Sequence, residues 1–237
     1  MNFSSDGKGR IFPHTKKPTR RGFISLQFLK MNYASRAAQL ENVISGYLPR
    51  QTAPHVVEWI LEHKIILTIT GPRQSVFGDY RRPEGRKNHR ISVNGDLNQY
   101  AFLITLLHEF AHMHTWLQHG DRVNSHGAEW KNYYRNLLGS WLGKKVFPPE
   151  LETVLIAHLH RAPASSCTDQ HLHKALLQYN KKPSIILEQI PLHEQFRLHD
   201  GKIFTKDKKR RTRFLCTETS TGKEYLISGV AEVERIL

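Results

Sequence analysis

His108 and His112 stand four residues apart, with Glu109 directly after the first, in the stretch LLHEFAHMHTW. Positions four apart share one face of a helix, so two imidazoles at this spacing can reach a single ion. Glu109 lies beside the first ligand and can take a proton from water activated by that ion. H-E-x-x-H on a helix is the short motif that carries this zinc chemistry. LNQYAFLITLLHEFAHMHTWLQH has an apolar run leading in and no proline or glycine before Gly120. That predicts a helix of about 20 residues with the motif in its middle, on a rigid support.

A hydrolytic zinc takes three protein ligands and keeps a fourth position for water. His114 is two residues past His112 and faces away. His119 shares the face of His112 but lies two turns on, about 10 Å along the axis. A metzincin would carry histidine where this chain has Gln118, and glycine where it has Thr115. His126 and Glu129 remain, the first giving a three-histidine site and the second a His-His-Glu site. Spacing favours His126, because the loop before it can fold back under the helix and Gly127 allows an unusual backbone angle. The chemistry expected is peptide hydrolysis, with Glu109 accepting the proton of water and returning it to the leaving amine. Tyr80, Tyr133 and Tyr134 are candidates to stabilise the oxyanion, and nothing in the sequence selects among them.

The surrounding elements follow from periodicity. Apolar residues at 38, 40, 43, 44 and 47 predict a helix over about 35–47, and Pro54 opens a second to about 63. KIILTIT (64–70) reads as a strand, followed by extended pieces near 75–81 and 89–94 that lead into the motif helix. Helices are predicted over AEWKNYYRNLLGSWL, over 148–160, and over 168–180 with Thr168 as cap. From about 184 the pattern alternates, with Asp200-Gly201 and Thr221-Gly222 as hairpin turns, and VAEVERIL reads as a short helical end. The organisation expected is a basic arm at 1–31, an α+β domain at 32–183, and a small antiparallel β module at 184–237.

The chain has 237 residues with 35 Lys and Arg against 21 Asp and Glu, a net charge of +14. Such an excess points to polyanionic partners, with nucleic acid first. Between Gln195 and Arg213 eight cationic residues face only Asp200 and Asp207. Lys206, Lys208, Lys209, Arg210, Arg211 and Arg213 are the candidate phosphate contacts. Phe196, Phe204 and Phe214, interleaved among them, are read either as stacking platforms or as the core of the module. Cys167 and Cys216 are far apart and in no C-x-x-C pair, which excludes a disulfide framework and a thiolate zinc site. A reducing, cytoplasmic setting fits, and no stretch is apolar enough for a membrane span. TRRGFI (19–24) resembles a twin-arginine signal, but Gln27 and Lys30 interrupt its apolar run. The pairs His158/His160 and His171/His173 are read as surface histidines. Cys167 is read as a structural residue preceding a helix.

HEFAH followed by a loop and SHGAEW resembles the SprT-like family. The matching positions are His108, Glu109 and His112, then His126-Gly127-Ala128-Glu129-Trp130 opening the next helix, with HRISVNGDL before the motif. The resemblance covers about residues 35–145 and implies a zincin-like metallopeptidase holding one zinc ion on His108, His112 and His126. It also implies protein substrates and, from the eukaryotic branch, DNA-stimulated cleavage of proteins crosslinked to DNA. Many members carry a four-cysteine zinc ribbon at the C-terminus. Here Cys216 stands alone, so the module is expected to keep that shape without a second metal. The competing expectation is a nucleic-acid-associated zinc protein with little or no hydrolysis.

Overall fold

The computed structural model of the chain describes residues 32–73, 76–161 and 169–236. The arm at 1–31, Cys167 and Thr168 lie outside them. α3 (Gln99–His119) is the element around which the rest is built. The Asn98 side chain accepts from the backbone N–H groups of Tyr100 and Ala101, at 3.2 and 3.0 Å. It thereby satisfies two of the donors that a helix start leaves free. Gly120 ends the helix at φ 59°, where a Cβ would be strained. Residues 101–111 are buried without a break, so this helix has no solvent face over about three turns and must be enclosed by other elements.

α1 (Tyr33–Ile44) and α2 (Ala53–Glu62) cover one side. Pro54 sits in the first turn of α2, which buries Val56, Val57 and Ile60, and Trp59 meets Phe110 of α3 edge-on at 5.4 Å. β1 (Ile66–Thr70), β2 (Gly78–Arg81) and β3 (Arg90–Asn94) form a sheet in the order β1-β3-β2. β1 runs parallel to β3 and β2 antiparallel to it, which makes β2 an edge strand; it lies against α3. α4 (Ala128–Gly139), α5 (Pro149–Arg161) and α6 (Gln170–Leu177) complete the helices. α6 is capped by Asp169, whose side chain accepts from His171 and Leu172. Phe102, Leu106, Phe110 and Met113 share one core with Trp130, Tyr134 and Leu155. Each fully buried side chain of this size stabilises by about 1.5–3 kcal/mol.

The C-terminal part is an antiparallel sheet of β4 (Ile185–Ile186), β5 (Gln195–Arg197), β6 (Ile203–Arg210), β7 (Arg213–Glu218), β8 (Glu224–Ser228) and β9 (Glu232–Arg235). Its order is β4-β9-β5-β6-β7-β8, and a 3-10 turn spans Leu187–Gln189. Gly201 and Gly222 turn two of its hairpins at φ 86° and 68°, and Arg211 closes a third at φ 52°. The segment expected as a terminal helix is β9 instead. Glu-Val-Glu-Arg alternates, and β4 and β5 pair it from both sides, which outweighs local helix preference. Leu187, Ile190, Phe196, Phe204, Phe214, Cys216 and Val233 form a separate core. α6 joins the two parts. Gln170 Nε2 donates to Thr212 O at 2.8 Å, and the His173 ring, hydrogen-bonded to the Val230 backbone, stacks on Phe77 at 6.3 Å.

Candidate metal centre

His108 and His112 project from one face of α3, and His126 reaches them from the loop before α4. The Nε2 atoms of His112 and His126 lie 3.2 and 3.3 Å from that of His108. The three residues are the one group of possible metal ligands among the described residues. Tetrahedral zinc with Zn–N bonds of about 2.0–2.1 Å places ligand nitrogens about 3.3–3.4 Å apart, so the donor set fits that ion. Burial supports the same reading. It pushes His108 down to about 3, with His112, His126 and His158 adding to the effect. His112 falls to about 4 through burial and then His126, against the opposing pull of Asp79. His126 is lowered by burial and by Lys131. Neutral imidazoles keep the lone pairs that a metal needs.

His114 and His119 do not join the group: both rings lie against Tyr133. Glu129 is also outside the ligand set. Gly127 is extended, at φ −69° and ψ −170°, so the unusual backbone angle expected there is absent. A Cβ there would be tight, 3.1 Å from Glu129 Oε2 and 3.2 Å from Asn124 O.

Aromatic rings form the back wall. Trp130 is fully buried, with ring centroids 4.6, 5.3 and 4.7 Å from His108, His112 and His126. Tyr134 stacks behind it at 5.0 Å. Trp130 stood in the sequence only as the aromatic residue after His126-Gly127, and its contact with all three imidazoles depends on α4 docking on α3. His108 Nδ1 and Trp130 Nε1 are buried in this wall with no hydrogen-bond partner among the described residues. Deeper still, His158 Nδ1 lies 2.9 Å from Asp169 Oδ2, and the His158 ring is 0% exposed. The surface placement expected for His158 is therefore incorrect. α5 turns it inward, where Asp169 supplies the partner that a buried imidazole requires.

Glu109 faces the other way, into a cleft of about 600 Å³ shared with Gly78, Asp79, Tyr80, His108, His112 and His126. Burial pushes its carboxyl up to about 8, and Asp79 adds to this. The Arg73 charge and a hydrogen bond from the Tyr80 backbone N–H pull it down. Tyr80 is the one candidate phenol lining the cleft. Tyr134 lies behind His108, and Tyr133 stacks on His114.

Residues 51–149 match the model of the SprT-like family. This segment is an SprT-like domain. The match takes in α2, the three-stranded sheet, α3 and α4, and therefore the whole histidine cluster. No curated protein and no solved structure matches the chain. No described helix is long and apolar enough to cross a membrane.

Beyond the SprT-like domain, the cationic residues of the β module divide. Lys208, Lys209, Arg210, Arg211 and Arg213 are exposed on the β6–β7 hairpin. Lys206 is not, and it is withdrawn as a phosphate contact. Period 2 puts it on the face of Phe204, where only 3% of it is exposed. Its ammonium donates to the carbonyls of Leu187 at 2.9 Å, Glu188 at 3.3 Å and Ile190. It also stands 3.9 Å from the Phe214 ring centre. Phe196, Phe204 and Phe214 belong to the core of the module, which removes the stacking role. Burial pushes the Cys216 thiol up to about 11, so it stays protonated.

Proposed function

We propose that this protein is a zinc-dependent metallopeptidase of zincin-like type, acting on protein substrates held on nucleic acid, DNA foremost. One observation carries the reading: three neutral imidazole nitrogens converge beside a buried carboxylate at the floor of an open cleft. His108, His112 and His126 would hold the ion. Zinc, when bound, supplies a Lewis acid that polarises a carbonyl and lowers the pKa of its water to about 7.

The remaining chemistry belongs to the chain. Glu109 takes the proton of the attacking water and passes it to the leaving amine, a role suited to a carboxyl with raised proton affinity. β2 is an edge strand beside the site, so an extended peptide can be aligned along it as a further strand. Burial raises the Tyr80 phenol above its usual range, so it stays protonated. Its hydroxyl lies 3.0 Å from His89 Nδ1, and turning from that partner into the cleft would let it donate to a developing oxyanion. Trp130 and Tyr134 close the back of the site to water.

The test is Glu109→Gln against the unaltered protein, with zinc content and cleavage of a DNA-binding protein measured together. Zinc should be retained and cleavage lost; equal cleavage by both proteins rejects the reading. The five exposed cations of the β6–β7 hairpin favour a nucleic-acid partner, and this would stand even for a protein with little hydrolysis. Glu109 argues against that alternative, because a purely structural zinc site needs no base. Five phosphate contacts on a duplex give a slope of about −4.5 in log affinity against log salt. A flat response would remove the partner from the proposal.

A further inference from the structure

We infer that Gly78 is a positioning residue for Glu109, and that β2 carries at this residue a notch in which the carboxylate is seated. This rests on reading Glu109 as the base. A Cβ on Gly78 would lie 2.6 Å from Glu109 Oε1, 2.9 Å from Glu109 Cγ and 2.7 Å from Thr105 Cγ2. The carboxylate therefore occupies the volume of the missing side chain. Backbone freedom is not the reason for glycine here, because Gly78 is not among the residues at positive φ. Space is the reason.

Two further groups fix the same carboxylate. The Tyr80 N–H, two residues along β2, donates to it. Arg73 faces it with a positive charge and fastens the start of β2 to β3. Its guanidinium reaches Asn94 Oδ1 at 2.7 Å, Ser92 Oγ at 3.0 Å and Phe77 O at 3.4 Å. Phe77 is the residue before Gly78, so this clamp sets the depth of the notch. A glutamate has three rotatable bonds and could reach many positions. Volume, hydrogen bond and charge together select one, on the cleft side of the imidazoles. The edge strand thus has a second duty besides aligning substrate: it holds the base at a fixed distance from the histidine nitrogens.

A Cβ at position 78 must be relieved from 2.6 Å to ordinary contact at about 3.4 Å, a displacement of about 0.8 Å for the carboxylate. Misplacement of a reacting group by about 1 Å costs roughly 10²-fold in rate. In Gly78→Ala, kcat should fall about 100-fold with KM and zinc content unchanged, while exchange of the Tyr80 amide proton accelerates at least tenfold. Thr105→Ser removes the other clashing carbon. Combined with Gly78→Ala it should leave kcat low, whereas full recovery would place the fault in helix–strand packing and overturn the inference. If Gly78→Ala proves too unstable to assay, its melting temperature decides. Shortening the side chain with Glu109→Asp removes the shortest contact and should raise it further than Thr105→Ser, which removes only the Thr105 methyl; an equal or larger gain from Thr105→Ser overturns the inference. Equal cleavage by the unaltered protein and Glu109→Gln would defeat the base reading alone, because the Tyr80 exchange and melting comparisons do not depend on catalysis.

Discussion

Replacing Lys206 by methionine keeps most of the side-chain stem and removes the ammonium. The carbonyls of Leu187, Glu188 and Ile190 then lose the ammonium at the 3-10 turn that begins the module, though Leu187 O keeps the Ile190 N–H at 3.2 Å. A buried acceptor left unsatisfied costs about 1–3 kcal/mol, and the lost contact with Phe214 adds about 0.5–2. Methionine recovers part of this, since it avoids the desolvation that holds the Lys206 pKa below the usual lysine range. The net loss is set at about 3 kcal/mol, at the lower end of what breaking a buried charged network costs. A small domain loses about 4–8 °C per kcal/mol, so the β module should melt more than about 10 °C lower. The protein allows the two parts to be followed separately. Its four tryptophans, at 59, 116, 130 and 141, all precede the module, so their fluorescence follows the SprT-like domain, while amide exchange at Phe204 and Cys216 follows the module. Lys208→Met, at an exposed neighbour, is the control. Equal protection of the module in the two variants would refute the structural role of the buried cation.

His126→Ala should abolish stoichiometric zinc binding and Glu129→Ala should preserve it, as read by elemental analysis after dialysis; zinc loss from the second variant would contradict the ligand set. Removal of metal also exposes a pH dependence. The metal-free folded protein holds His108 near 3 and His112 near 4, below the usual 6.5. As pH falls the unfolded chain therefore takes up protons first. The contribution of these two histidines should be full above about pH 6.5 and decline towards pH 4, while Glu109, raised to about 8 in the fold, opposes it over the same range. Denaturant titrations of the metal-free protein and of metal-free Glu109→Gln, which lacks the opposing group, should show the steeper loss with falling pH in the variant. Asp169→Ala removes the cap of α6 and the partner of His158 together. It should cost about 2–4 kcal/mol in urea unfolding followed by tryptophan fluorescence; a loss below about 1 would mean that the pair is energetically idle.

The histidine face of α3 could be read from sequence because spacing on a helix fixes direction, and the helix is bounded by local signals at each end. His126 needed the resemblance as well as the spacing, since a loop does not announce where it returns. The orientation of Lys206 was present in the alternation Ile203-Phe204-Thr205-Lys206, which puts it on the core side with Phe204, but the run of cations drew attention to its charge. β9 was missed because Val-Ala-Glu-Val-Glu-Arg satisfies either period, and only pairing with distant β4 and β5 decides between them. The Gly78 notch and the His158–Asp169 pair were not legible at all. Each depends on two segments meeting in space, Gly78 with Glu109 and His158 with Asp169, and neither member carries a local sign of the other.

The cation inside the β module has a consequence for how the protein meets changes in metal supply. An imported ion can be withdrawn by a chelator or by scarcity, and a fold that depends on it goes too. Lys206 comes with the chain at synthesis. Under the proposed function, depletion of zinc should silence the histidine site while leaving the hairpin of cations folded. The proposed activity should then return with the ion, with no refolding of the module required.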